Sequence, residues 1–284
     1  MIAERLPPAY RHIEVRPASG AIGADIYGVD AARPLADDVV AEIRRAFLEH
    51  CVIFLRDQRL EPAALVAFAQ RFGEPMEYPQ LKGLPESPLV TPVVKLEHER
   101  VNFGGVWHSD TTYLERPPMA SMLYAVELPP YGGDTLFSNQ YLAYEALSDK
   151  LKEVLRGLVG VNTSTKAEVS KTREDRLRDT GAELKALTGE HPVVRTHPET
   201  GRKALYVNAA HTARFRDWTD EESAPLLEYL FAHQVRPEFT CRLRWEPETL
   251  AFWDNRSTQH NPVNDYHGHR RVMHRVTLAG DTPR

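Results

Sequence analysis

Two cysteines among 284 residues, Cys51 and Cys241, leave no material for a disulfide framework. Each falls in an apolar, strand-like run, so both read as buried free thiols of a reducing cytoplasm. Long apolar runs are also missing: none approaches the roughly 18 residues of a membrane span. The opening Met1-Ile2-Ala3-Glu4-Arg5-Leu6-Pro7-Pro8 has no apolar signal core, and a cytoplasmic protein is expected. Excess positive charge is lacking as well. With 35 Lys and Arg against 40 Asp and Glu, the net charge is −5 with histidines neutral, which argues against nucleic acid or an anionic membrane as partner. There is no internal repeat, low-complexity tract or linker, so residues 1–284 are expected to form a single domain.

What is present is a succession of short strands with helices set between them. Residues 12–16 alternate apolar and polar as a half-buried strand does. Gly20, Gly23 and Gly28 mark residues 20–28 as turn-rich. Val39, Val40, Ile43, Ala46 and Phe47 recur at helical spacing, residues 51–55 form a buried strand, and residues 62–72 form a second helix closed by Gly73. Prolines and glycines break every period between residues 78 and 106, which reads as long loops of functional use. Further strands are predicted over 120–128, 134–138, 192–195, 204–207, 239–245, 249–254 and 272–279. Helices are predicted around 142–147, 151–158 and 220–233. Residues 163–189, dense in both signs of charge from Lys166 to Lys185, read either as a solvated helical excursion or as a lid over the site. The pattern is mostly β with inserted helices, and a double-stranded β-helix, or jelly-roll, core of cupin type is expected.

Two islands carry the chemistry. Trp107-His108-Ser109-Asp110 puts an imidazole and a carboxylate two residues apart, on one face if the segment is extended. Asn255-Arg256-Ser257-Thr258-Gln259-His260 supplies a second histidine that could join them if the chain folds back. Two imidazoles and one carboxylate make the facial triad of non-heme Fe(II) oxygenases, which leaves three coordination positions open. With twelve histidines in the chain, no single one is informative and the spacing must carry the argument. Arg271 and Arg275 lie four apart, on one face of a strand. Surface strands carry arginines routinely, but an inward arginine requires an anion, and a dicarboxylate cosubstrate such as 2-oxoglutarate would supply one. Thr135, after Gly132-Gly133-Asp134, could add a hydroxyl to the same carboxylate.

Taken together, Trp107-His108-Ser109-Asp110, Tyr131-Gly132-Gly133-Asp134-Thr135, Trp253-Asp254-Asn255-Arg256 with His260, and Arg271 through Arg275 resemble the TauD/TfdA family. The likeness runs from about Gly20 to the C-terminus. It implies Fe(II) bound by His108, Asp110 and His260, and 2-oxoglutarate bound by Thr135 and Arg271. It also implies Arg275 facing an anionic group of the substrate. The activity implied is hydroxylation of a substrate C–H, with O2 and 2-oxoglutarate converted to succinate and CO2 and ascorbate as a supporting reductant. Asp110 favours hydroxylation over halogenation, because related halogenases leave that ligand position empty. A dimer or tetramer is expected from the same resemblance.

The substrate pocket departs from the taurine type. Tyr78 and Leu81 stand where a His and a Tyr are expected, and Gly104-Gly105 where an Asn is expected. Tyr78, Tyr113 and Tyr206, with Phe215, suggest a more aromatic pocket for a sulfonate, sulfate ester, phenoxy acid or other carboxylic acid; ordinary core or rim packing is the competing account. Two other classes stay open: a catalytically inactive cupin-like binding protein, and a zinc-dependent hydrolase with the same three ligands.

Overall fold

A strand covered on both faces must be apolar at every position, and Val52–Leu55 (β3) is buried throughout. It lies inside an eight-stranded sheet with β1 (Glu14–Pro17), β2 (Ala24–Tyr27), β4 (Pro75–Met76), β5 (Val90–Lys95), β6 (Ala120–Glu127), β14 (Leu250–Asp254) and β16 (Arg271–Leu278). The strand order is β1-β2-β3-β14-β6-β16-β4, with β5 pairing the same edge of β16 as β4, farther toward its start. Every pairing is antiparallel except β2 with β3. The computed structural model describes residues 9–79, 81–166 and 186–284.

Period-two alternation divides the core. Ile53, Leu55, Met122, Leu250, Phe252, Val276 and Leu278 face two helices, α1 (Asp37–His50) and α2 (Pro62–Gln70). Phe47 of α1 stacks on Phe252 with ring centroids 4.1 Å apart. Val52, Phe54, Ala251, Trp253 and Met273 point the other way, onto a three-stranded sheet of order β13 (Thr240–Leu243), β7 (Thr135–Asn139), β15 (Thr258–Pro262). Phe137, Cys241 and Leu243 meet them there. Two facing antiparallel sheets with Trp253 and Phe137 between them form the jelly-roll core.

A third cluster, including Leu155, Leu205, Phe215, Leu227 and Leu230, fills the remaining side. It is bounded by α3 (Gln140–Glu145), α4 (Asp149–Leu155) and α5 (Asp220–His233). The sheet β12 (Thr212–Phe215), β8 (Val159–Thr163), β9 (Thr188–Pro192) and the hairpin β10 (Val194–Thr196), β11 (Lys203–Leu205) complete that side. Asn139 caps α3 by accepting from the Tyr141 and Leu142 amides, and Thr219 with Glu222 forms a capping box on α5.

Several sequence expectations shift. Residues 24–27, read as turn, pair as β2, because the glycines sit at the strand's ends. The region read as loops from 78 to 106 contains β5, whose Pro92 masks its alternation. Strands β8, β12 and β15 add to those predicted, and 192–195 resolves into the end of β9 and the start of β10. The predicted lid, 163–189, begins at the end of β8 and ends in β9; its residues 167–185 lie outside the described residues.

Candidate active site

A tight turn returns the chain from β14 into β15 and fixes where His260 lies. Asp254 organises it, its carboxylate accepting from the Arg256 amide (2.9 Å), Nε (2.8 Å) and Nη2 (2.7 Å). His197 Nε2–H donates to the same carboxylate at 3.0 Å, while its Nδ1 accepts from the Glu199 and Thr200 amides. Arg256 and Arg44 both pair with Glu199. Beyond this turn β15 pairs with β7, setting His260 opposite Phe137. His260 also exchanges backbone bonds with His108, amide to carbonyl, at 2.8 and 3.1 Å.

The result brings the three predicted ligands together. The His108 and His260 rings are 4.1 Å apart, and Asp110 Oδ1 lies 3.6 Å from His108 Nε2 and 4.0 Å from His260 Nε2. Ligand atoms of all three fall within 4.8 Å of one another, and all three residues are buried. His108 Nδ1–H donates to the Val106 carbonyl at 2.7 Å, which leaves the Nε2 lone pair for a metal. Burial and the His108 neighbour hold His260 well below an ordinary imidazole, so it stays neutral. Burial alone would raise Asp110, but the Arg275 guanidinium and the two histidines hold it well below the usual carboxylate range. Its Oδ2 accepts from Ser121 Oγ (2.7 Å) and Arg275 Nη2. Its Oδ1, fully buried, has no hydrogen-bond partner. An orphaned carboxylate oxygen beside two imidazole nitrogens suits a divalent cation with mixed nitrogen and oxygen preference, and ferrous iron fits this donor set.

From the triad a narrow cleft runs past Val93, Phe103, Thr135, Phe137 and Pro262 to Arg271. Arg271 is 5% exposed, and its Nε and Nη2 have no hydrogen-bond partner. A buried guanidinium in that state requires an anion. Thr135 Oγ accepts from Trp245 Nε1 at 3.0 Å, which frees its own hydroxyl proton to donate into the cleft. Gly133, at φ +71°, lets the backbone pass close to the Tyr266 ring beside Arg271: a Cβ there would lie 3.2 Å from Tyr266 Cδ1.

On the other side of the triad the Tyr78 ring lies under the Arg275 guanidinium, 4.7 Å from its centroid. Tyr113 stands edge-on to His211 at 5.0 Å, and His211 to His108 at 6.2 Å. Burial pushes the Tyr113 phenol up to about 12 and raises Tyr78 too, so both remain donors. Burial and His108 push His211 down to about 3, so it stays neutral. Tyr206 is placed elsewhere: its ring packs on Arg195 and His191 and is not part of the cleft wall. Phe215 is core. Ser121, Trp245 and Phe103 belong to the site without any sequence signal, since only the folded sheet brings them there.

Such a donor set on a jelly-roll scaffold belongs to the non-heme iron oxygenases. Comparison with known proteins narrows the class. The taurine catabolism dioxygenase TauD, TfdA family matches residues 14–277. An alpha-ketoglutarate-dependent sulfate ester dioxygenase of Pseudomonas putida is 35% identical over 97% of this chain and 92% of its own length. An alkylsulfatase of Acinetobacter baylyi is 34% identical over 95% of this chain and 86% of its own. A taurine dioxygenase structure from Burkholderia xenovorans superposes with a TM-score of 0.82 at 39% identity, covering 96% of this chain and 91% of that one. The chain belongs to the TauD/TfdA family and is a 2-oxoglutarate-dependent dioxygenase, an oxidoreductase.

Proposed function

We propose that the protein hydroxylates a C–H bond next to the ester oxygen of a small anionic substrate, with a sulfate ester as the leading class. Sulfonates, phenoxy acids and other carboxylic acids are the further candidates. A carbon bearing both hydroxyl and sulfate collapses to a carbonyl compound and free sulfate. The observation that carries the reading is Arg271, a buried guanidinium with unused donors in the cleft that leads to the triad. The two relatives named for sulfate esters and alkyl sulfates, both matched over nearly the whole chain, support the substrate class.

In this reading His108, Asp110 and His260 hold Fe(II), and Thr135 and Arg271 grip the distal carboxylate of 2-oxoglutarate. When bound, iron supplies oxygen activation coupled to conversion of 2-oxoglutarate to succinate and CO2. Arg275 does two jobs. It keeps Asp110 ionised, and its Nε, which has no partner, is left to meet the substrate's anionic group. The protonated Tyr78 and Tyr113 and neutral His211 form the rest of that wall. We also infer one dioxygenase domain over residues 1–284 and a cytoplasmic setting, supported by two buried free cysteines. Among the described residues no helix is long and apolar enough to cross a membrane. A homo-oligomer, dimer or tetramer, is the expected assembly, and light scattering tests it.

The test is succinate release with Fe(II), O2 and ascorbate across alkyl sulfates, sulfonates, phenoxy acids and simple carboxylates, with free sulfate measured in parallel. The expected result is substrate-dependent succinate matched by sulfate for an alkyl sulfate, and none from His108→Ala. A zinc hydrolase would release sulfate without consuming 2-oxoglutarate, and a binding protein would do neither.

A further inference from the structure

The inner face of β5 matches that of β16 residue for residue: Thr91 opposite Arg275, Val93 opposite Met273, and Lys95 opposite Arg271. Directly opposed residues of an antiparallel pair project to the same face with Cβ atoms about 5 Å apart. Lys95 therefore leaves its strand beside Arg271. A lysine on a strand end would ordinarily extend its ammonium into water. This one is 4% exposed, and its Nζ makes no hydrogen bond. The Nζ lies over the Tyr266 ring, 4.1 Å from the centroid. Of the nearby charges, Glu99 favours its ammonium while Arg271 opposes it, and burial opposes it most.

Lys95, Asn102, Tyr266 and Arg271 border a recess that shares Val93, Phe103, Pro262 and Arg271 with the cleft from the triad. The recess adjoining the Arg271 end of that cleft thus holds two buried cations on paired strands, each with unused donors. Two like charges in one desolvated recess are unfavourable unless an anion joins them. We propose that Lys95 is a second cation for the distal carboxylate of the cosubstrate, shared with Arg271, and strengthens selection of dicarboxylate over monocarboxylate 2-oxo acids. The proposal rests on the 2-oxoglutarate reading above. It divides the work by chemistry: the Arg271 fork sets orientation, Thr135 adds a hydroxyl, and Lys95 adds a compact point charge from the opposite strand.

The experiment is calorimetric binding of 2-oxoglutarate and of pyruvate to the Mn(II)-loaded protein, where no turnover occurs. Pyruvate presents the same 2-oxo acid end without a distal carboxylate. For Lys95→Met we expect 2-oxoglutarate to weaken by about tenfold, as for loss of one charge-assisted contact, with pyruvate unchanged. Lys95→Arg should keep most of the preference, and Lys95→Gln replaces the Met variant should that one not fold. Equal affinity of wild type and Lys95→Met for 2-oxoglutarate overturns the proposal, as does an equal loss for both acids. Wild-type protein that fails to prefer 2-oxoglutarate over pyruvate would instead overturn the cosubstrate reading, so the two failures are distinguishable.

Discussion

Asp110 has one oxygen committed and one left over, and that asymmetry organises the site at the scale of single residues. Ser121 and Arg275 hold Oδ2, so Oδ1 is turned toward the two imidazole nitrogens. Gly104 guards the same space from above. Its φ is +72°, and a Cβ there would come within 2.9 Å of His108 Cε1. Gly104→Ala therefore meets backbone strain and a clash with the His108 ring together. We expect at least about tenfold weaker Mn(II) binding, the 1.4 kcal/mol that a modest strain supplies, with an unchanged circular dichroism spectrum. Undiminished affinity by calorimetry would show that this loop yields freely. The ligand candidates were legible in the sequence because His108 and Asp110 are covalently two apart and because strand periodicity ties Arg271 to Arg275. Ser121 was not, since it reaches the triad from a distant strand that only tertiary folding brings near; His211 was readable only as a candidate pocket residue among twelve histidines.

Among elements, the turn joining β14 to β15 decides whether His260 arrives at all. Asp254 is fully buried and answers Arg256 and His197 at once; burial would raise its pKa, but these partners hold it well below the usual range. Asp254→Asn leaves the Arg256 charge inadequately balanced in the interior. Breaking a buried ion pair in this way is destabilising by about 3–5 kcal/mol, which for a chain of this size lowers Tm by roughly 10 °C. Differential scanning calorimetry of the metal-free protein checks it, and a shift under about 2 °C would mean that Glu199 alone carries the turn. The elements that escaped sequence reading share a cause. Strand β15 reads Thr-Gln-His-Asn-Pro because its residues serve a polar site and cannot alternate apolar with polar. Strand β5 carries Pro92, which masks its alternation, and β8 contains Gly160 and Asn162. By contrast β3, β14, α1 and α5 were plain, since packing alone dictates their composition.

For the molecule as a whole, acid should loosen the fold in two stages. Burial lowers the pKa of His50, His191 and His274, so the native state keeps them neutral where the unfolded chain takes up protons, near pH 6.5. The unfolded state then binds more protons, and stability, complete above that pH, declines as pH falls through the window. Asp254 adds a second loss at lower pH, below about 4, where the unfolded carboxyl takes up a proton that the depressed native carboxyl does not. In EDTA, Tm should be flat between about pH 7 and 8 and fall from about pH 6.5 to 5. His191→Gln, which keeps a donor for the Leu114 carbonyl, should make that fall shallower; an identical slope would place the linkage elsewhere. Strand β16 sets a different kind of limit on the same scaffold. Because Arg271 and Arg275 hang from one strand, the interval between the two guanidinium-bearing residues is fixed by backbone rise at roughly 13 Å between Cα atoms, whatever side chains surround it. On the proposed function, adapting the enzyme to new compounds is therefore a matter for the loops bearing Tyr78, Gly104 and Tyr113. Lengthening the strand by one residue between the two arginines would swing one of them into the apolar layer under the helices and, on the proposed function, remove one of the two anion contacts outright.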